Sequence, residues 1–322
     1  MRAIVIEKLG GPEVLQLQTR PTPEPGRGQL LVTVLIAGVN YMDVGTRTGV
    51  NTAAGSLPAV PGVEGVGTVA ALGPDVTGIH VGDRVAWFFA PGSYAEQLLM
   101  PAASAVPVPE NISNEIAASL MMQGLAANHM TTESYAIQPG DVAFVHSAAG
   151  GLGLMLTQLI KARGGSVIGR VSSPEKAEIA RAAGADDVVV TNGGDFIDEV
   201  SRITGGQGVA VVYDGVGADT FASSLAVLRY HGTLAYYGQT IKPLPPIDLL
   251  TLPKSVLVTY PTSLHHVRTR EALLTRSAEL FHFVEEGKLH VSIGGRYPLA
   301  EAARAHEAIQ SRTTTGKLLL LP

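Results

Sequence analysis

The sequence has no cysteine among its 322 residues. Disulfide bonds, thiolate zinc sites, iron–sulfur clusters and a cysteine nucleophile are therefore excluded. Charged residues make up only 16% of the chain and give a formal net charge of −5. A strongly basic surface is thus missing, and nucleic acid is not an expected partner.

A long apolar segment is missing as well. The longest uncharged run, from Val142 to Ile160, approaches membrane-spanning length, but it contains His146, Gln158 and three glycines. This pattern favours a strand, a turn and a helix over a membrane helix. The first residues resemble a strand rather than the apolar core of a signal peptide. We therefore expect a cytoplasmic protein that has no membrane partner.

The chain is instead rich in turn-forming residues and apolar strands. With 46% hydrophobic residues, 37 glycines and 20 prolines, it can form large cores connected by many turns. Its length suggests about two domains. Residues 1 to about 115 contain short apolar, β-branched runs, of which 30–39 is the clearest. A helix is expected to begin near Asn114, which can cap its free N–H groups.

From about residue 140 onwards, strand-like and helix-like segments alternate. Such alternation requires crossover connections and predicts a parallel sheet. The predicted strands are 141–147, 166–171, 187–191, 209–214 and 232–237, and the predicted helices are 150–163, 174–183, 196–204 and 219–228. The last section is expected to form helices at 271–286 and 299–311 and a strand at 316–321.

The segment Ser147–Gly153 follows the first of these strands and opens the first of these helices. It matches the dinucleotide fingerprint as Ala148-x-Gly150-x-x-Gly153. Small residues there allow the backbone to approach a pyrophosphate, whose charge the amides and dipole of the helix N-terminus can hold. A glycine-rich turn without a ligand is the alternative. The strand–helix units that follow favour a nucleotide site.

The end of the second predicted strand distinguishes NADH from NADPH. An NADH site places an acidic residue there, but residues 170–173 include none. Arg170, Ser172 and Lys176 instead offer two positive charges and a hydroxyl group to a 2′-phosphate. The alternative is that both charges are ordinary solvated surface residues. We expect NADPH to be the preferred cofactor.

Several motifs together resemble the medium-chain dehydrogenase/reductase superfamily, and in particular its zinc-free quinone oxidoreductase branch. The matching segments are Ala37–Asp43, Pro61–Gly67, Val81–Val85, His146–Gly153 with Gln158 and Lys161, Val212–Gly217 and Arg312–Lys317. The resemblance covers nearly the whole chain and implies an α/β protein of two domains. These are a GroES-like β-rich catalytic domain at 1–115 and 261–322, and a Rossmann domain with a doubly wound parallel sheet at 116–260.

The resemblance also implies a type of reaction and whether zinc takes part in it. Zinc-binding members place a cysteine at the position of Asn40 and a histidine at that of Val63, so both catalytic ligands are missing. His265 and His266 are adjacent and lack metal-ligand spacing, and no metal is expected. The implied activity is NADPH-dependent hydride transfer to a small-molecule quinone or α,β-unsaturated carbonyl. An enoyl-thioester or other activated-alkene reductase and a non-catalytic NADPH-binding protein are the alternatives.

The resemblance implies roles for individual residues. Asn40, Tyr41 and Met42 would flank the nicotinamide and the substrate. Asn40 would donate a hydrogen bond to the developing oxyanion, and Tyr41 or water would supply the proton. The alternatives are that Asn40 is a turn residue that fixes the backbone after its strand and that Tyr41 is a packed wall residue. Further cofactor contacts are expected from Ala149, Gly150, Gly151 and Leu152 at the pyrophosphate, Ser172 and Lys176 at the adenosine phosphate, Val216, Gly238 and Gln239 near the ribose and nicotinamide, Tyr260 in the nicotinamide pocket, and Arg312 from the tail. Arg170 is added to the phosphate site because of its charge and not because of the resemblance.

The chain departs from the family pattern at three positions, and at the first of them Ala126 stands where the family commonly has a threonine. Thr191 stands where the family often has a tyrosine at the adenosine end, and we expect it to contact the cofactor there. Asn51 stands where related reductases carry a tyrosine, which leaves the proton donor open. Residues 255–260 are expected to form an apolar edge strand of the nucleotide domain. Because such edges invite pairing, we expect a homodimer joined through this strand.

Overall fold

The computed structural model describes residues 1–50, 56–193, 195–238, 244 and 246–322. The strands are β1 (Arg2–Val5), β2 (Gln16–Thr19), β3 (Gln29–Val39), β4 (Glu64–Leu72), β5 (Arg84–Phe88), β6 (Gln97–Pro101), β7 (Ala105–Pro107), β8 (Val142–His146), β9 (Ser166–Val171), β10 (Asp187–Val190), β11 (Val209–Asp214), β12 (Leu228–Tyr236), β13 (Leu257–Thr259), β14 (Ile293–Pro298) and β15 (Lys317–Leu321). The α-helices are α1 (Tyr41–Thr48), α2 (Asn114–His129), α3 (Gly151–Ala162), α4 (Pro174–Ala182), α5 (Ile197–Ile203), α6 (Ala218–Ala226), α7 (Ser263–His266), α8 (Arg270–Glu285) and α9 (Ala302–Gln310). None of these helices is long and apolar enough to cross a membrane.

The first of two units consists of Met1–Gly124, Val267–Glu285 and Val291–Pro322. Its main sheet has the strand order β14-β15-β3-β4-β5-β7, and β6 pairs with β3. Neighbouring strands run antiparallel except β14 and β15. Buried side chains of β3 pack into a core that includes Trp87 and Tyr94. The β-rich, GroES-like half of the predicted fold is confirmed.

The second unit consists of Leu125–His266 and Glu286–His290. Its sheet has the order β10-β9-β8-β11-β12-β13, and every neighbouring pair is parallel. Counted within the unit, this order is 3-2-1-4-5-6, the arrangement of a Rossmann fold. The predicted doubly wound parallel sheet is confirmed. The division into functional domains at 116–260 stays a prediction.

Most element ends agree with the sequence-based prediction, and the differences have local causes. The cap of α2 is Ser113, whose Oγ accepts a hydrogen bond from the amide of Ile116 at 3.3 Å, whereas Asn114 is the first helical residue. Strand β12 begins four residues earlier than predicted and contains an irregularity at His231, where φ is +59°. Strand β13 is at the sheet edge, as predicted, but is shorter. Positive φ values at Lys254 and Ser255 interrupt the extended backbone before it.

Candidate functional site

The glycine-rich segment makes a tight turn between β8 and α3. Ser147 adopts a left-handed backbone conformation, and its carbonyl oxygen accepts a hydrogen bond from the amide of Gly150 at 2.8 Å. A Cβ at Gly153 would lie 2.3 Å from the same carbonyl oxygen, so this position requires glycine. The first amides of α3 have no partner within the helix and therefore form a cradle suited to an anion. The predicted pyrophosphate contacts lie in this turn or at the start of α3: Ala149, Gly150, Gly151 and Leu152.

This turn lies where the strand order of the second unit reverses. Strand β8 stands between β9 and β11, and ligands of open α/β sheets bind at the carboxyl ends of strands at such a point. Val216 and Gly238 follow the ends of the next two strands, β11 and β12. A Cβ at Gly238 would lie 2.5 Å from the amide nitrogen of Gly217, which itself has φ +123°. Two strand ends thus approach each other too closely for a side chain.

Asp214, the last residue of β11, organises these strand ends. Its fully buried carboxylate accepts hydrogen bonds from the amide of Val216 at 2.9 Å, from Thr220 Oγ1 at 2.8 Å and from Ser224 Oγ at 2.7 Å. The carboxylate is therefore well compensated although no water reaches it. The contact with the amide fixes the backbone at Val216, one of the predicted cofactor residues.

His146 connects this network to the second strand. Because Ser224 donates its proton to Asp214, Nε2 of His146 donates to Ser224 Oγ at 2.9 Å, and Nδ1 accepts from a terminal nitrogen of Arg170 at 3.3 Å. Burial lowers the pKa of His146 to about 4; Asp214 opposes this shift and Arg170 adds to it. The imidazole is neutral at pH 7. These contacts are structural, because the serine proton faces the carboxylate rather than the histidine.

Two of the three residues predicted to hold the adenosine phosphate are close together. Lys176 Nζ donates to Ser172 Oγ at 3.2 Å in an exposed position, and Ser173 caps α4 beside them. Arg170 is not in this group. Its side chain is buried, and its second terminal nitrogen donates to the carbonyl of Gly193 at 2.7 Å. The phosphate role of Arg170 stays a prediction, and these contacts give it no support.

The remaining predicted residues of the second unit lie beyond other strands. Thr191 follows β10; its Oγ1 donates to the carboxylate of Asp195 and accepts from the amide of Gly193. Tyr260 follows β13 and is 60% exposed. Gln239 and also Asn51 lie outside the described residues.

Asn40 of the first unit is held by a buried ion pair. Its Nδ2 donates to Glu64 Oε1 at 2.8 Å, and its Oδ1 accepts from Lys317 Nζ at 2.9 Å. Lys317 also donates to Glu64 Oε1, and Glu64 Oε2 accepts from the amide of Met122 at 2.8 Å. Glu64 and Lys317 are fully buried. Because an ammonium group can only donate, the orientation of the Asn40 amide is fixed, and these contacts use one of its two N–H donors.

Tyr41 and Arg312 are brought together in the same unit. The Tyr41 hydroxyl donates to the carbonyl of Ile309 at 2.7 Å. Burial raises the pKa of Tyr41, and the neighbouring Arg312 partly opposes that rise. A role of Tyr41 as proton donor would require this hydroxyl contact to break. Met42, on the next position of α1, is half-buried.

A buried polar chain fixes the start of α1. Asp43 Oδ2 accepts from the amide of Asn40 at 2.8 Å and from the hydroxyl of Tyr94 at 3.0 Å. The Tyr94 oxygen in turn accepts from His306 Nε2 at 3.2 Å. Burial raises the pKa of Asp43 to about 7, whereas burial and the charge of Arg47 lower the pKa of His306 to about 3. Asp43 therefore titrates near neutral pH, directly beside Asn40.

Sequence reasoning assigned no role to Glu64, Lys317 or Asp214. A signal was present, because each is an ionisable residue within or at the end of an apolar run, and a buried charge requires partners. Spacing could not identify those partners, since Glu64 and Lys317 are 253 positions apart.

Two family models match the chain. The model described as "Alcohol dehydrogenase GroES-like domain" matches residues 26–110, and the one described as "Zinc-binding dehydrogenase" matches residues 151–274. The first match lies in the β-rich unit. The second begins in the glycine-rich turn and covers most of the parallel sheet.

Two relatives and one solved structure match this chain over 97% or more of both chains. A quinone oxidoreductase of Pseudomonas aeruginosa is 39% identical, with 97% of each chain covered. A 2-haloacrylate reductase of a Burkholderia species is 36% identical, with 99% of this chain and 98% of that protein covered. A mycobacterial protein solved in complex with NADPH has a TM-score of 0.96 and 43% identity, with 100% of each chain covered.

Proposed function

The chain belongs to the quinone oxidoreductase branch of the medium-chain dehydrogenase/reductase superfamily, and we propose that this NADPH-dependent oxidoreductase reduces quinones or α,β-unsaturated carbonyls without zinc. Relatives carry names that refer to a quinone and to a 2-haloacrylate. Both compounds offer an electron-poor carbon conjugated to a carbonyl group. The proposed substrate class is defined by this shared feature.

The observation that carries the proposal is the fit of the second unit to a phosphorylated dinucleotide. The Ser147–Gly153 turn leaves no room for a Cβ at Gly153, and it presents the free amides of α3. Ser172 and Lys176 offer a hydroxyl and an ammonium group at the end of β9, where an NADH site would place an acid. Together these features suit a pyrophosphate and a 2′-phosphate.

The residues of the first unit have a different role from those that bind the cofactor, because they act on the substrate. When bound, NADPH supplies a hydride to the electron-poor carbon, and the electron pair of the substrate moves to its carbonyl oxygen. The remaining N–H donor of Asn40 stabilises the negative charge on that oxygen. Glu64 and Lys317 hold the Asn40 amide in its orientation and act as positioning residues. Water, or Tyr41 after release from Ile309, supplies the proton.

The proposed function is tested by NADPH oxidation with a panel of quinones, enones, 2-haloacrylates and enoyl thioesters, followed by product analysis. Turnover of quinones or enones is expected, and a saturated carbonyl product would identify reduction of the alkene. Turnover restricted to enoyl thioesters would move the assignment to that reductase class. NADPH binding without turnover of any panel member would indicate a non-catalytic NADPH-binding protein.

The cofactor preference has a separate test in Lys176→Ala. A hydrogen bond to a charged group contributes about 1.5–3 kcal/mol, so kcat/KM for NADPH should fall roughly tenfold to a hundredfold while that for NADH stays nearly constant. Lys288→Ala is the matched control, because Lys288 is an exposed lysine of the same unit paired with Glu286. Equal effects of Lys176→Ala on both cofactors would contradict a phosphate contact.

A further inference from the structure

A cluster of two histidines and a glutamate lies in the second unit, apart from the residues assigned above. His129 ends α2, Glu133 lies in the π-helical turn Met130–Ser134 that follows, and His266 ends α7. One potential ligand atom from each lies within 4.8 Å of the others. His129 Nδ1 is 3.6 Å from Glu133 Oε2, and His266 Nδ1 is 3.2 Å from Glu133 Oε1.

The local helix geometry produces this alignment. The wider turn of a π-helix contains about one more residue than that of an α-helix, and such turns often occur at functional sites. Residues four positions apart also lie on one face where α2 passes into this turn, and His129 and Glu133 are brought close together there. Two ligands four positions apart on a helix are a common arrangement in metal sites.

The hydrogen bonds of His266 determine which nitrogen faces the carboxylate. Nε2 lies 2.8 Å from Asn128 Oδ1, which can only accept, so Nε2 carries a proton. In the neutral ring, Nδ1 then holds a lone pair directed toward Glu133. Buried His129 Nδ1 has no hydrogen-bond partner among the residues that the structure describes. One ligand atom from each residue is within reach of a single cation placed between these nitrogens and the carboxylate.

We propose that His129, Glu133 and His266 bind a divalent transition-metal ion of the zinc class. Two imidazoles and one carboxylate are borderline ligands that suit zinc, and three protein ligands leave a fourth position for water. Asn128 would act as the outer-sphere partner that orients a metal-bound histidine through its other nitrogen.

Its access to solvent distinguishes this site from a buried polar cluster, and its position in the chain distinguishes it from the zinc site of the superfamily. The Glu133 side chain is 48% exposed, so an ion can reach the ligands from solvent. The positions at which zinc-binding superfamily members carry ligands, Asn40 and Val63, lie in the first unit instead. The proposed hydride transfer requires no metal here, and the site goes beyond the proposed function.

The test uses full-length, chelator-treated protein titrated with ZnCl2 in a calorimeter, with the melting temperature measured in parallel. One zinc ion per chain and a rise in melting temperature are expected, whereas Mg²⁺, which prefers oxygen ligands, should produce neither. Bound Co²⁺ should show visible absorption of four-coordinate geometry. Absence of one-to-one zinc binding overturns the proposal.

Variants establish that the ion is at this cluster. Asn128→Ala should lower the zinc affinity about 10–100-fold, and Glu133→Gln, His129→Ala and His266→Ala should lower it further. Glu133→Gln is the most informative of these, because its partly exposed, nearly isosteric side chain should leave the fold intact. The matched control is His282→Ala, which removes an exposed histidine from α8 and should leave the affinity unchanged. Zinc binding of undiminished affinity in Glu133→Gln and His129→Ala would also overturn the proposal. NADPH titration of each variant reports separately on the proposed function.

Discussion

Removal of Lys317 tests the reasoning about the buried ion pair. The variant Lys317→Met retains the length of the side chain but leaves the fully buried Glu64 carboxylate without its cationic partner. Loss of one partner of a buried pair costs about 3–5 kcal/mol, because the remaining charge stays in a medium of low dielectric constant. The Glu64 carboxylate keeps two other hydrogen-bond donors, the amide of Met122 and Nδ2 of Asn40. The expected loss of stability is therefore near the lower end of this range.

The chain offers a local reporter for this measurement. Trp87 is the only tryptophan, it is fully buried, and it pairs in register with Gly65, which follows Glu64. Urea denaturation followed by its fluorescence therefore reports on the unit that contains the pair. The expected result is a loss of about 3 kcal/mol in the free energy of unfolding. The variant Lys8→Met, which alters an exposed lysine of the same unit as Trp87, should change it by less than about 0.5 kcal/mol.

A double-mutant cycle completes the test. In Glu64→Gln/Lys317→Met, the neutral amide at position 64 can still accept a hydrogen bond from Asn40 Nδ2. This double variant contains no buried charge at either position. The double variant should therefore be more stable than the sum of the two single losses predicts, by about 1–3 kcal/mol. Additive single losses, or a loss below about 1 kcal/mol for Lys317→Met, would refute the assignment of a buried, mutually compensating pair.

Three further predictions follow from the contacts of the two units. Gly153→Ala places a Cβ within 2.3 Å of the Ser147 carbonyl, so it should destabilise the protein by about 1–3 kcal/mol and weaken NADPH binding, as measured by fluorescence titration. The pKa of Asp43 is raised to about 7 in the fold, so the stabilisation from its protonated form is present below about pH 4 and is lost as the pH rises through 7. Asp43→Asn should therefore flatten the dependence of unfolding free energy on pH between 4 and 8, and an unchanged pH profile would contradict the assignment. Asn40→Ala should lower kcat about tenfold or more with little change in NADPH affinity, and unchanged kinetics would remove this amide from the mechanism.

The sequence by itself determined the fold class and the nucleotide-binding turn. Strands and helices of the second unit alternate with the periods that local backbone geometry dictates, and the glycine at position 153 is required by its contact with Ser147, only a few positions away. The absence of an acid at 170–173 is likewise visible in a single short segment. Local patterns of this kind can be predicted because their physical causes lie within one strand–turn–helix unit.

Only the tertiary structure decided which charged residues meet. Arg170 looks like a surface charge in its own segment, yet it is buried beside His146 and Gly193. Glu64 and Lys317 come from opposite ends of the chain, and spacing along the sequence does not reveal their contact. Spacing along the sequence likewise does not reveal that His266 lies close to His129 and Glu133. A buried charge is stabilised by whichever partner the packing of distant strands brings within hydrogen-bonding distance, and that distance is a property of the folded chain alone.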